Sequence, residues 1–136
     1  MKPLPFTLFM ALFASCQLLY ASSITVSGNV SGTWDVDTVK VVDDIDVEED
    51  DSLFIMPGVR IEFRGSYSFY VRGVLKALGT SSKPIVFDVM DTTGFSVDTI
   101  PGGGWNGIQF YYNVAPPDSS LIEYCIFRHA KAVSPD

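Results

Sequence analysis

Three triplets of alternating side chains, Ile61-Glu62-Phe63, Ile85-Val86-Phe87 and Ile108-Gln109-Phe110, recur at intervals of 24 and 23 residues. Successive side chains of an extended segment point to opposite faces, so each triplet offers two apolar groups to one side and its middle residue to the other. A period between ~20 and 50 residues is the mark of a chain that stacks one structural unit on the next. The spacing predicts Ile61, Ile85 and Ile108 in one inward column, with Phe63, Phe87 and Phe110 in another. Burying such side chains fully is worth about 1.5–3 kcal/mol each, against which the entropy of ordering them is set. No stretch after the first twenty-odd residues combines helical periodicity with caps, so the fold class is all-β. A sandwich built from hairpins would need turns such as Asn-Gly between neighbouring strands, and Asn106-Gly107, the one Asn-Gly pair, stands beside Trp105 at the start of a strand.

A chain of 136 residues makes one small domain. Its 47% hydrophobic and 13% aromatic content supplies a core, which argues against disorder in spite of the acidic balance. Nine Lys+Arg against sixteen Asp+Glu give a formal charge of −7. No basic stripe is available to neutralise phosphates, and nucleic acid is excluded as a partner.

Residues 1–21 stand apart. Lys2 precedes Leu4, Phe6, Leu8, Phe9, Met10, Leu12 and Phe13, and the run ends at Tyr20-Ala21-Ser22-Ser23. A positive residue, an apolar run and small residues at the exit are the parts of a secretory signal peptide, with cleavage after Ala21 or Ser23. Pro3, Pro5, Ser15 and Gln17 interrupt the run, which argues against a retained transmembrane span. The expected location is therefore secreted or cell-surface. Phe13-Ala14-Ser15-Cys16 resembles a lipoprotein acylation box, but Leu18-Leu19-Tyr20 continues the apolar run where a polar tether belongs, so a lipid anchor through Cys16 is the lesser alternative. Removal of the signal leaves Cys125 without a partner for a disulfide, and its setting among Ile122, Tyr124, Ile126 and Phe127 reads as a small buried hydrophobe.

Residues 22–44 read as an entry strand and N-terminal cap, with Trp34, Val36, Val39, Val41 and Val42 covering the end of a core; Asn29-Val30-Ser31 is formally a glycosylation acceptor. From residue 45 to 136 the chain reads as strand and turn units. Leu53-Phe54-Ile55 leads into Pro57-Gly58, where proline fixes one dihedral and glycine accepts the left-handed conformation, and Val59 to Phe63 follows. Ile55-Met56-Pro57-Gly58, the run Gly73-Val74-Leu75-Lys76-Ala77-Leu78-Gly79-Thr80, Pro84-Ile85-Val86-Phe87, Trp105-Asn106-Gly107-Ile108-Gln109-Phe110 and Ser120 to Ile126 together resemble the right-handed parallel β-helix proteins of the pectin-lyase-like class, in particular the N-terminal part of secreted bacterial members. The resemblance covers about residues 36–133. It implies a solenoid with an N-terminal cap and about three coils, and a protein associated with polysaccharide or cell-surface glycan.

The acidic run from Asp43 to Asp51 is the candidate ligand site, because clustered carboxylates bind calcium at extracellular concentrations. Asp43, Asp44, Asp46, Glu48 and Asp50 are its candidate ligands, although the spacing is not that of an EF-hand and a solvated acidic face is the plainer reading. No other cofactor is expected. Residues 88–104 look like a loop inserted between coils, carrying Asp88, Asp91 and the Gly102-Gly103-Gly104 run. Lyases of the resembled class use aspartates and an arginine, and Asp88, Asp91 and Arg128 have those residue types without a motif to anchor them. His129 is the single histidine, which excludes a histidine-rich zinc site. Tyr67, Phe69, Tyr70, Tyr111 and Tyr112 form either an aromatic platform or core filling.

No catalytic constellation stands out. The stretch from Ala130 to Asp136 follows a strand with no closing cap, and the expectation is an opening segment of a longer β-helix with a structural or binding role. The alternative is the N-terminal part of a polysaccharide lyase or glycoside hydrolase whose catalytic coils lie elsewhere.

Overall fold

The computed structural model describes residues 21–111 and 119–131. Residues 1–20, which hold Cys16 and most of the expected signal peptide, together with Tyr112 and residues 132–136 lie outside that range. The described residues form strands and turns with no helix: β1 (Ser23–Asn29), β2 (Gly32–Trp34), β3 (Thr38–Val47), β4 (Ser52–Ile55), β5 (Arg60–Phe63), β6 (Phe69–Val71), β7 (Val74–Leu78), β8 (Ile85–Val89), β9 (Ile108–Phe110), β10 (Leu121–Glu123) and β11 (Cys125–Phe127). No helix among them is long and apolar enough to cross a membrane.

Every pairing is parallel, and almost all join strands distant in sequence. A seven-stranded sheet runs β11-β8-β5-β3-β6-β9, with β1 also on β3, and a four-stranded sheet runs β10-β7-β4-β2. The long strand β3 makes the larger sheet curl. Its first half, Thr38 to Val41, pairs with β5, while Ile45 to Val47 pairs with β6. Between the halves Val42, Asp43 and Asp44 are all exposed, which breaks the in-out alternation at the bend. The result is a curled parallel sheet faced by a second one, an arrangement compatible with a parallel β-solenoid.

The core lies between the two sheets and is built by alternation. Ile61 and Phe63 of β5, Leu53 and Ile55 of β4, Leu75 and Ala77 of β7, and Ile85 and Phe87 of β8 are buried. The turn at Pro57-Gly58 has the expected form, with Gly58 at φ +83°. Gly73 and Gly79 bracket β7 for a different reason: a Cβ on the first would collide with the carbonyls of Glu48 and Asp51, and on the second with that of Tyr124. Layers of backbone approach too closely there for any side chain.

All three triplets are strands, but they do not stack as their spacing predicts. Ile61 pairs with Phe87, not Ile85, and Ile108 pairs with Phe69 of β6. The true columns are Val39, Ile61, Phe87 and Phe127; Ile45, Phe69 and Ile108; and Trp34, Ile55, Ala77 and Ile122. Between the first two triplets the cause is unequal corners, and the third lies in β9, which stacks on β6 rather than on β8. Ile55 to Arg60 is five residues, whereas Ala77 to Val86, the equivalent positions one layer on, is nine. The extra length forms a turn in which Lys83 N donates to the Thr80 carbonyl at 3.2 Å and to its Oγ1 at 3.0 Å.

Candidate functional site

The outward face of the larger sheet carries a polar network. Lys40, Glu62 and Asp88 lie one above another, since Lys40 pairs with Glu62 and Glu62 with Asp88. One strand further, β11 pairs with β8 through Phe127 and Phe87, which brings the residues after Phe127 beside Asp88. His129 Nδ1 lies 2.8 Å from Asp88 Oδ1, and Arg60 Nη2 lies 3.5 Å from Asp88 Oδ2. The Val89 amide also donates to Oδ1, at 2.8 Å. Burial pushes the Asp88 carboxyl up, but the hydrogen bonds from His129 and Val89 and the charges of His129 and Arg60 outweigh it and hold the group below its ordinary value. His129 itself sits at φ +52°, a left-handed conformation that disfavours a residue with a Cβ by about 1–2 kcal/mol.

Beside this network the segment between β8 and β9 folds against residues 128–131. Lys131 is buried, and its Nζ donates to the carbonyls of Val97 at 2.6 Å, Gly94 at 3.0 Å and Gly102 at 3.3 Å. Phe95 meets the His129 ring edge to face at 4.9 Å. Beneath them Trp105 is fully buried, stacks on Phe63 at 4.4 Å and donates its indole N–H to the Arg128 carbonyl at 2.7 Å. The glycine-rich approach to Trp105 thus ends in a docked loop, with each carbonyl that faces the lysine given a charged donor.

The acidic run is distributed rather than gathered. Asp43 Oδ1 accepts the Asp44 amide at 2.8 Å, and Asp44 Oδ1 accepts the Ser68 amide at 2.7 Å, so both aspartates serve the bend in β3. Asp46 pairs with Arg72 at 3.2 Å, and Glu48 accepts from Asn29 Nδ2 at 2.6 Å. Asp50 is exposed in the turn before β4. Glu48, Glu49, Asp50, Asp51 and Arg72 line a hollow of about 310 Å³. Among the described residues no group of three or more His, Cys, Asp or Glu side chains is placed to hold a metal ion.

The other candidates divide. Asp88 joins Arg60 and His129, whereas Asp91 turns back to accept the Thr93 amide at 2.9 Å. The Arg128 amide donates to the Phe87 carbonyl as part of the sheet. Phe69 is core, Tyr67 is partly buried against it, and Tyr70 and Tyr111 remain as a tilted pair with centroids 6.1 Å apart. Cys125 is half-buried and free, and burial pushes its thiol up, away from the reactive thiolate.

Among the described residues Asp88 and His129 form a carboxylate–imidazole pair in which the carboxylate holds one ring nitrogen and orients the half-exposed ring. Sequence reasoning considered Asp88 and His129 separately and missed their pairing, for they are 41 residues apart. The signal that joins them is the parallel register of β8 and β11. No family model, curated protein or solved structure matches this chain.

Proposed function

We propose that the chain is a segment of a right-handed parallel β-helix, similar to the pectin-lyase-like class, in an exported protein where it has a structural and binding role associated with glycan. The observation that carries this reading is the return of the chain to the same columns in parallel register, as in Val39, Ile61 and Phe87. Right-handed crossovers are the rule for parallel strands joined within one sheet, which supports the assigned hand. The signal-like residues 1–21 support export.

Two measurements test the proposal. Expressed in a secreting host, the chain should appear outside the cytoplasm with a new N-terminus at Ser22 or Ile24 and no lipid. The exported protein should be retarded in gels containing polysaccharide while leaving the polymer intact. Release of unsaturated or reducing-end sugars would instead favour the lyase or hydrolase alternative, with Asp88 and His129 as the first residues to substitute. An unprocessed chain held in the cytoplasm would remove the exported role.

A further inference from the structure

We infer that the bond between Ala21 and Ser22 is the processing site of this chain, and that the ammonium left on Ser22 is bound by the Asp37 carboxylate, which latches the first strand in place. The inference rests on the export reading and goes past it, because the residues at the exit of the signal leave two sites open. Cleavage after Ser23 has small residues at both expected positions, Ala21 and Ser23, whereas cleavage after Ala21 has Leu19 at the outer one. Small residues alone favour Ser23. The folded chain favours Ala21.

Ser22 is clamped against the residues that open β3. Its N–H donates to Asp37 Oδ2 at 2.7 Å, its hydroxyl oxygen accepts the Asp37 amide at 3.2 Å, and its carbonyl accepts the Thr38 amide at 3.1 Å. Ser23 then pairs with Thr38 and Ile24 with Val39. In the unprocessed chain the Ser22 nitrogen is a neutral amide. Hydrolysis by a signal-cleaving protease adds water across the peptide bond, so that Ala21 leaves as a carboxylate and Ser22 keeps a protonated amine. The contact with Asp37 becomes an ion pair, and a charge-assisted hydrogen bond is about twice as strong as a neutral one. Ser22 lines a hollow of about 510 Å³ together with Asp35, Asp37 and Lys83, two carboxylates against one lysine, so the surroundings favour an added positive charge. Cleavage after Ser23 would remove all three Ser22 contacts and the pairing of Ser23 with Thr38. It would also put the charge on Ile24, which packs against the core beside the fully buried Val39, where desolvating it is costly. Among the described strands β1 pairs with β3 alone, so its first residue has no other neighbour strand to hold it against fraying.

The chain should be expressed in a secreting host and the protein in the medium sequenced from its N-terminus. The first residues should be Ser22, Ser23, Ile24 and Thr25. A start at Ile24 would overturn this inference and leave export standing, whereas a chain retained unprocessed would overturn both. Acylation of the α-amine by acetic anhydride at neutral pH, read on the N-terminal peptide by mass spectrometry, then reports on the latch, because only the deprotonated amine reacts. In secreted Asp37→Asn that rate should rise about two- to fivefold, the range of an exposed ion pair, while Asp98→Asn, an exposed acid of the 88–104 segment, leaves it unchanged. Equal rates in the unsubstituted and Asp37→Asn proteins, or an equal rise in Asp98→Asn, would overturn the latch. Asp37 is exposed, so its substitution leaves the core intact, and the N-terminal sequence is read without any variant.

Discussion

The two ends of the strand stack are made of the same parallel layers yet finish differently. At the β1 and β2 end, Val30 and Trp34 are buried and the exposed positions of β1 are serine, threonine, glycine and asparagine. At the β9, β10 and β11 end, phenylalanine and isoleucine stand exposed in columns that are fully buried one layer earlier. Backbone geometry does not decide whether a sheet edge is terminal; the side chains on its last strand do. Small polar residues and a register shift mark one edge, and apolar alternation continues to the last described strands of the other.

The largest test of that contrast is Trp105→Ala. Trp105 packs between Phe63 and Phe87, with centroids at 4.4 and 5.9 Å, and anchors Arg128 through its indole N–H. Removing a buried tryptophan costs about 3–5 kcal/mol. Urea denaturation should show a loss in that range, with hydrogen exchange rising first in residues 90–104 and 121–131. A loss spread evenly over β1 to β7 would show that the two ends fold as one unit and blunt the comparison.

Lys131→Met sharpens it. The substitution keeps the side chain's apolar length and removes the donor that three carbonyls share. A hydrogen bond to a charged group is worth about 1.5–3 kcal/mol, but the three carbonyls belong to a partly exposed segment and relief of ammonium desolvation offsets part of the loss, so a net loss of about 1–3 kcal/mol is expected. Residues 94–102 should become accessible to protease while the β1 end keeps its protection.

The sequence made some of this legible and hid the rest for identifiable reasons. Alternation revealed each triplet as a strand, and Pro57-Gly58 revealed a turn with Gly58 left-handed, because both signals are local. The columns were not legible, since a constant period assumes equal layers and the corner before β8 is four residues longer than the one before β5. The acidic run was visible as charge, but the service of Asp44 to the bend in β3 depends on Ser68, which the register alone brings near. The contact of Asp88 with His129 was hidden similarly, because the layer joining them includes the whole insert.

Asp88→Asn tests that contact through pH. The Asp88 carboxyl is held below its ordinary value of 3.8 in the folded chain, so it stabilises the fold above that pH, and the contribution disappears as pH falls through the lower folded value. At neutral pH the variant should lose about 1–3 kcal/mol, because Arg60 and His129 lose a charged partner. Below the folded value the two proteins should converge, as read from urea midpoints across an acid titration. A constant gap would assign the loss to packing rather than to the charge on Asp88.

The smallest effect belongs to the closed edge. Ser27 is exposed on β1, beside the point where the register with β3 shifts between Val26 and Gly28. If small polar residues close that edge only by offering nothing apolar to cover, then Ser27→Ala, which removes one hydroxyl from a solvated position, should change stability by no more than about 0.5 kcal/mol. It should also bring about no association, because an alanine adds too little apolar area to hold another layer. Ser27→Phe is the complementary substitution: with the backbone unchanged, the β1 edge should begin to associate. Sedimentation of the two variants beside the unsubstituted chain separates the contributions. Association of Ser27→Phe alone would assign closure to side-chain character, whereas an edge that stays closed in both would assign it to the shifted register, which denies an incoming strand a continuous row of partners.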